Sequence, residues 1–365
     1  MPFIQRTTLF DANIEQPTAG RAGPLLPSAV TTWAPVVKTP TVYSYSAGLQ
    51  RRLPRSLLAE ARYVGTLGRY ITMATDSNEL PLGTRLLPGN AAVPRDSLRP
   101  YPGFSMITWL TAQGSANYHA LQTSLERRLE SGLRFGIAYT WSKVITNATT
   151  EQAVGGLQNS YDLRAERGLA DYDRTHVLVA NYIYELPFFA RRRDRLGKAL
   201  GGWEISGITN VTSGSMSTPS YSLSGDPTGA GKTIIRPDFV APVRILDPRQ
   251  TRTFTLPNGR AVTGNFYFDP TVSFRLPAAG LYGNSAPNLI RGPGMHNWDV
   301  SLFKNLAIRE TVRVQFRAEF FNFFNHTSFS GIGTGLPATA TNTTFGQVTA
   351  VAPARTVQFG LKLAF

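Results

Sequence analysis

Hydrophobic and polar positions alternate most cleanly near the end of the chain, in residues 295–365. Val312, Val314, Phe316, Ala318 and Phe320 are apolar, and Arg313, Gln315, Arg317 and Glu319 lie between them. Successive side chains of a strand point to opposite faces, so this stretch predicts a strand with one apolar and one charged side. It runs into Phe321, Phe323 and Phe324 beside Asn322, Asn325 and His326, an aromatic cluster of the kind found where lipid tails give way to headgroups. The last strand repeats the alternation: Val357, Phe359, Leu361, Leu363 and Phe365 are apolar, while Thr356, Gln358, Gly360, Lys362 and Ala364 are polar or small. A soluble antiparallel sheet with one wet face would carry the same pattern.

Earlier segments add strands. Thr41–Leu53 alternates through Tyr43, Tyr45, Ala47 and Leu49, and after Pro54, Arg55 and Ser56 the chain returns through Leu57, Ala59, Ala61 and Tyr63. Residues 118–130 are ambiguous, because Leu121, Leu125 and Leu129 also fit a helix face. An internal repeat favours the strand: Leu49-Gln-Arg-Arg-Leu53 with Leu57 and Tyr63 recurs as Leu125-Glu-Arg-Arg-Leu129 with Leu133 and Tyr139 at the same spacing. Both copies therefore read as hairpins. Further strands are expected at 173–187, 203–212 and 298–306. Residues 1–40 read as an irregular lead, 71–117 and 143–172 as long loops, 213–296 as a large excursion with minor strands, and 327–354 as a last polar loop. The connections thus alternate short and long, as periplasmic turns and extracellular loops do in outer-membrane barrels. About nine clear strands make an odd, open sheet, whereas a bacterial single-chain barrel is closed and usually even.

Composition removes several classes. The 365 residues hold no cysteine, which excludes disulfides, thiol catalysis and thiolate metal sites. No run reaches the roughly 18–20 apolar residues of a transmembrane helix, a test that says nothing of a barrel. The net charge of +14 comes mostly from arginines dispersed through strands and turns, which argues against a nucleic-acid footprint. The first 13 residues lack the basic start and apolar stretch of a secretory signal, so an incomplete precursor is expected. The segment from Ser224 to Thr233 reads SGDPTGAGKT, but Asp226 stands where a Walker loop needs glycine, so an exposed loop is expected. His119, His176, His296 and His326 are widely separated and suggest no metal site. Asp173 and His176 read as hydrogen-bonding groups at a loop end rather than part of a triad, and the glycan-acceptor matches at Asn147 and Asn342 as accidental. No cofactor is expected.

An ordered set of short motifs carries a family resemblance. Tyr161-Asp-Leu-Arg-Ala-Glu-Arg-Gly, Asp171-Tyr-Asp-Arg-Thr-His176, Tyr184-Glu-Leu-Pro187, Gly202-Trp-Glu-Ile-Ser, Arg291-Gly-Pro-Gly, Asn297-Trp-Asp-Val-Ser-Leu-Phe-Lys304, Phe316-Arg-Ala-Glu-Phe-Phe-Asn-Phe-Phe-Asn-His326, Phe345-Gly-Gln-Val and Gln358-Phe-Gly-Leu-Lys-Leu-Ala-Phe365 follow one another through most of the chain. Together they resemble the carboxyl-terminal barrel of Oar-like TonB-dependent outer-membrane receptors. The resemblance implies an all-β fold: a partial antiparallel transmembrane β-barrel over 41–365, a meander of hairpins with long extracellular loops and no plug. It implies substrate uptake or binding in the bacterial outer membrane, without enzymatic chemistry. Arg313, Gln315, Arg317 and Glu319 are the expected lumen-facing residues. Phe359, Leu361, Leu363 and Phe365 resemble the signal read by the barrel-assembly machinery. The implied partners are outer-membrane lipid, that machinery, an unidentified ligand, and TonB through a plug not present in this chain; nucleic acid is not among them. The alternatives from the residues themselves are a soluble or surface β-sheet protein binding glycans or proteins, and a passive porin.

Overall fold

In the computed structural model the described residues are 4–5, 28–148, 157–189, 194–222, 226–232, 234–308, 312–337 and 343–365. Most of the first 27 residues, Arg191, Arg192 and Arg193, and the Asn342 position fall outside them. Nearly all regular structure is strand. Strand β1 (Ser28–Trp33) is followed by a meander of nine: β2 (Thr41–Leu53), β3 (Leu57–Asp76), β4 (Phe104–Glu130), β5 (Leu133–Thr146), β6 (His176–Glu185), β7 (Trp203–Thr212), β8 (Met295–Ala307), β9 (Arg313–Phe321) and β10 (Thr356–Ala364). Each pairs antiparallel with the next.

The repeat-based reading of residues 118–130 as strand holds. Both repeat copies are hairpins, Leu53 pairing with Leu57 and Glu130 with Leu133. The second hairpin turns on Ser131 (φ 52°) and Gly132 (φ 75°), two left-handed residues that suit the twist of the flanking strands. The long loop expected over 71–117 is strand at both ends, through Asp76 and again from Phe104. β3 and β4 are 20 and 27 residues long, well beyond the roughly 10 that span a bilayer. A bulge hid this: Tyr70 has φ 58° and the register slips between Arg69 and Met73, which breaks the alternation. The real loop begins after Asp76, in the Pro- and Gly-dense segment before Phe104. The expected irregular lead also contributes structure, since β1 pairs in parallel with β4, Ser28 opposite Phe104 and Trp33 opposite Leu110. It occupies the edge of β4 above the point where β5 ends its pairing at Ala116.

The register keeps one face apolar across the meander. A single row of paired residues reads Leu53, Leu57, Arg127, Phe135, Tyr182, Gly207, Val300, Phe320 and Val357. The row starts at the short-turn end of β2 and finishes at the long-loop end of β10. That stagger is the shear that tilts strands in a barrel. Two glycines on this face make room for tyrosine rings from the neighbouring strand: Tyr45 covers Gly65, and Tyr182 covers Gly207. Among the described residues the sheet is open, because β2 pairs with β3 alone and β10 with β9 alone. Almost every residue of those two edge strands is exposed.

The long connections gather at one end and build a core of their own. Tyr221, Ile235, Phe268, Phe274, Ile290, Leu336 and Phe345 are nearly solvent-free, with Phe268 and Phe345 edge-to-face at 5.2 Å. Most belong to the β7–β8 excursion, and Leu336 and Phe345 come from the β9–β10 loop. Ser220–Ser222 of one connection pairs in parallel with Gly335–Leu336 of the other. The excursion is therefore a small packed body, and its short strands are the walls of that core. At the opposite end, helix α1 (Arg195–Leu200) sits in the β6–β7 connection, and Asp194 caps it by accepting from the Gly197 N–H at 2.8 Å.

Candidate functional site

Two places in this fold present organised polar groups: the face opposite the apolar one, and the loop assembly. On the polar face, Arg313, Gln315, Arg317 and Glu319 of β9 lie side by side with Ala364, Lys362, Gly360 and Gln358 of β10. They line up on the other flank with Ala307, Asn305, Phe303 and Ser301 of β8. Gln315 donates to Asn305 at 2.8 Å, Arg317 donates to Gln315 at 2.7 Å, and the Arg317 guanidinium lies 5.8 Å over the Phe303 ring. All four residues thus share one polar surface. Phe359, Leu361, Leu363 and Phe365 are on the apolar side and highly exposed, Leu361 at 75%. Phe316 stacks on Phe359 at 6.2 Å across the β9–β10 pair.

Buried ion pairs hold the loop assembly. Arg236 is bidentate to Glu166 at 2.7 and 3.1 Å, and also donates to the carbonyls of Ser285 and Ala165. Gln158 bridges the same segments, its backbone N–H donating to Glu166 and its side-chain oxygen accepting from the Arg236 N–H at 2.7 Å. Asp173, fully buried, accepts from Arg291 at 2.7 Å and from the Val144 N–H at 2.8 Å. Glu79, 1% exposed, pairs with Lys232 at 3.1 Å and accepts from the Tyr282 hydroxyl at 3.0 Å. Burial, with the Glu79 carboxylate adding to it, pushes the Tyr282 phenol far above its ordinary value, so it stays a donor. Burial likewise raises Tyr221 in the loop core to about 12, with the Asp238 charge a smaller cause.

The motif residues Tyr161, Glu166, Asp173 and Arg291 are members of these clamps, and Tyr161 donates to the Glu79 carbonyl at 2.6 Å. Sequence reasoning missed Glu79, Arg99, Lys232 and Arg236. The partners of Glu79, Lys232 and Arg236 lie tens of residues away on other loops, so no local spacing announces them, whereas Arg99 folds back on Asp96, Asp76 and Asn78 of its own connection. Residues 226–232 of the Walker-like stretch form a closed turn: Asp226 accepts from the Gly231 N–H at 2.6 Å and from the Thr228 hydroxyl at 3.0 Å. Those bonds occupy the donors that a phosphate would need.

The histidines separate into three settings. His119 and His176 meet Tyr63 and Tyr139 on neighbouring strands, each hydroxyl 2.8 Å from Nδ1. His296 and His326 stack at 3.6 Å beside Arg249. Partial burial lowers the His326 pKa, and the adjacent His296 and Arg249 lower it further. Among the described residues no three of His, Asp or Glu gather as a metal site. The aromatic cluster after β9 turns on Asn322 and Asn325, at φ 53° and 50°. Asn322 accepts from the His326 N–H, and Phe323 and Phe324 stack edge-to-face at 5.1 Å.

Above the loop ends of β3 and β4 lies a cleft of about 550 Å³, walled by Asp76, Arg95, Asp96, Arg99, Ser160 and Lys232 among others. Arg99 is nearly buried and reaches Asp96 at 2.7 Å, Asp76 at 3.0 Å and the Asn78 carbonyl at 2.5 Å.

Residues 2–358 match the family described as outer membrane beta barrel domain. No curated protein matches the chain. Among solved structures it is similar to the outer membrane transporter YddB from Escherichia coli, at 11% identity and TM-score 0.47, covering 93% of this chain and 34% of that one. It is similar to the FrpB iron transporter from Neisseria meningitidis at 11% identity and TM-score 0.40, covering 91% and 32%. For FpvA of P. aeruginosa, bound to heterologous pyoverdines, the values are 10% identity and 0.40, over 89% and 27%. The chain therefore spans about a third or less of the length of these structures. With the family match running through nearly the whole sequence, the chain belongs to the outer membrane beta barrel domain family, and its place is the outer membrane.

Proposed function

We propose that the chain is the barrel portion, over residues 41–365, of a TonB-dependent receptor of the Oar-like type, which binds or takes up a substrate through its loop end. One observation carries the reading: a staggered meander keeps one apolar face through nine strands while its long connections gather at one end into a body with its own core. In this reading the apolar face meets lipid, and Arg313, Gln315, Arg317 and Glu319 face the lumen. TonB acts through a plug domain, and the barrel-assembly machinery engages Phe359, Leu361, Leu363 and Phe365. The loops capture ligand outside the cell, and no catalytic step is involved.

The absence of cysteine makes the topology directly testable. Single cysteines replace Leu281 in the loop body and Arg55 in the β2–β3 turn, and intact cells are treated with a membrane-impermeant maleimide. Labelling is expected at 281 in intact cells and at 55 only after the outer membrane is opened. The reverse pattern, or labelling of both in intact cells, would refute the orientation. The TonB arm is checked by uptake that stops when the proton-motive force is collapsed; uptake that continues would favour a passive pore.

A further inference from the structure

We infer that the cleft above β3 and β4 is a binding site for a small zwitterion of the amino-acid or short-peptide class, its carboxylate held by Arg95 and its ammonium group by Asp96. The charges in the wall are unevenly matched. Lys232 is used by Glu79 and by the Leu157 carbonyl at 3.0 Å. Arg99 is shared between two carboxylates, Asp76 and Asp96. The two oxygens of Asp76 are occupied, by Arg99 and by the Asn78 and Ile107 N–H groups at 2.9 and 3.1 Å. Asp96, a third exposed, gives one oxygen to Arg99 and, among the described residues, leaves the other without a protein partner.

Arg95 is the opposite case. Among the described residues it has no ion-pair or hydrogen-bond partner, and its Nε is buried without one. Thr108 lines the same cleft at 1% exposure, and its hydroxyl is also unsatisfied. An unmatched guanidinium and a half-used carboxylate on consecutive residues leave the wall short of one anion and one cation. A single ligand bearing both groups supplies them. A guanidinium fork takes a carboxylate by two parallel bonds. The cleft is within the size range of small-molecule sites.

The site is also shaped for Arg95. Gly231, at φ +78°, lies directly against the Arg95 side chain, and a β-carbon there would collide with Nε. Gly231 is fixed in turn by its N–H bond to Asp226. The loop that reads like a phosphate cradle is thus a backstop for this arginine.

The inference rests on the receptor reading only for the side of the membrane that the cleft faces, so its chemistry is tested in detergent and its orientation by the maleimide experiment above. The full chain is titrated calorimetrically with glycine, diglycine and triglycine, with the tightest binder's N-acetylated and carboxyl-amidated forms, and with inorganic phosphate. At least one zwitterion is expected to bind, and blocking either of its charges should weaken binding about tenfold or more. Arg95→Gln should remove the preference for a free carboxylate and Asp96→Asn the preference for a free amine, while the exposed control Arg164→Gln changes neither. Arg95→Lys, which keeps the charge but not the fork, should fall between Arg95→Gln and the parent. Protease resistance of the loop body reports that each variant is folded. No binding by any zwitterion, equal binding of the blocked forms, tighter binding of phosphate, or an unchanged preference in folded Arg95→Gln would each overturn the assignment.

Discussion

Replacing Arg236 with alanine should unlock the loop body while leaving the meander intact. The guanidinium and the Glu166 carboxylate are both nearly buried, with side-chain exposures of 7% and 6%. Removing one partner of such a pair leaves an uncompensated charge, which costs about 3–5 kcal/mol. Here the Gln158 N–H at 3.0 Å remains as a donor to Glu166, which places the expected cost at the low end, about 3 kcal/mol. Arg236 also joins the Ala165 and Ser285 carbonyls, so three segments lose a common tie. At about 1.4 kcal/mol per tenfold, the open population of the loops should rise by about 150-fold. Native-state proteolysis of the full chain in detergent reads this ratio when reclosing is faster than cleavage. Cleavage should fall within the loops, and heat-dependent mobility of the resistant strands should be unchanged. The double variant Arg236→Met with Glu166→Gln removes both charges and should recover most of the resistance. Parent-like resistance of Arg236→Ala would refute the reasoning, and so would a double variant as fragile as the single one.

Three further outcomes are expected. On the apolar face of β9 and β10, Phe316→Arg or Leu361→Arg should cost about 2–4 kcal/mol near the membrane midplane and lower the assembled yield in outer-membrane fractions, whereas Gln315→Arg should be mild; equal yields would remove the facing assignment. Phe365→Asp, or loss of Phe365, should block insertion of the protein into the outer membrane with little effect on its synthesis, and normal insertion would detach this residue from assembly. His326 should titrate below the ordinary imidazole value, and Arg249→Gln should raise its pKa as seen by NMR. Because the folded pKa is depressed, the unfolded chain takes up the proton first, so this group destabilises the fold as pH falls below about 6.5, most fully below the folded pKa, and has no effect well above 6.5. A His326 pKa at or above that of a free histidine would contradict the stacked arrangement.

The strands were legible where the period of two was unbroken. Val312 to Phe320 and Val357 to Phe365 declared their faces, and the repeat of Leu49–Leu53 at Leu125–Leu129 resolved a helix–strand ambiguity that spacing alone left open. The upper halves of β3 and β4 were not legible, for a physical reason. At Tyr70 the chain takes a left-handed residue and slips register, so the alternation changes phase in the middle of a continuous strand. β1 was hidden differently: its six residues lie in a Pro-rich lead and pair in parallel with a distant partner, Val30 standing opposite Ile107, 77 positions later in the sequence. Of the polar residues, those on β9 could be placed on one face from the sequence, because a strand fixes which neighbours share a side. Arg95, Lys232 and Arg236 could not, because each acquires its meaning from a loop that approaches only when the sheet has formed.

That dependence orders the molecule. The loop body draws its core from the β7–β8 and β9–β10 connections, and its ion pairs reach into the β3–β4 and β5–β6 connections. None of these segments is adjacent to another in sequence. They meet because the meander delivers every long connection to the same end, and because the stagger of the pairing brings strands of very different length to a common edge. Charged side chains suit such a junction: before the loops meet, Glu79, Glu166 and Asp173 are hydrated, and each loses its water only when a cation from a different loop arrives. An apolar loop surface would instead be free to collapse early and against the wrong partner. The same requirement accounts for the motif residues Tyr161, Glu166, Asp173 and Arg291, which sit in the loop clamps. Alternation along a strand tolerates many apolar residues, whereas a buried carboxylate accepts few substitutes for the guanidinium that faces it.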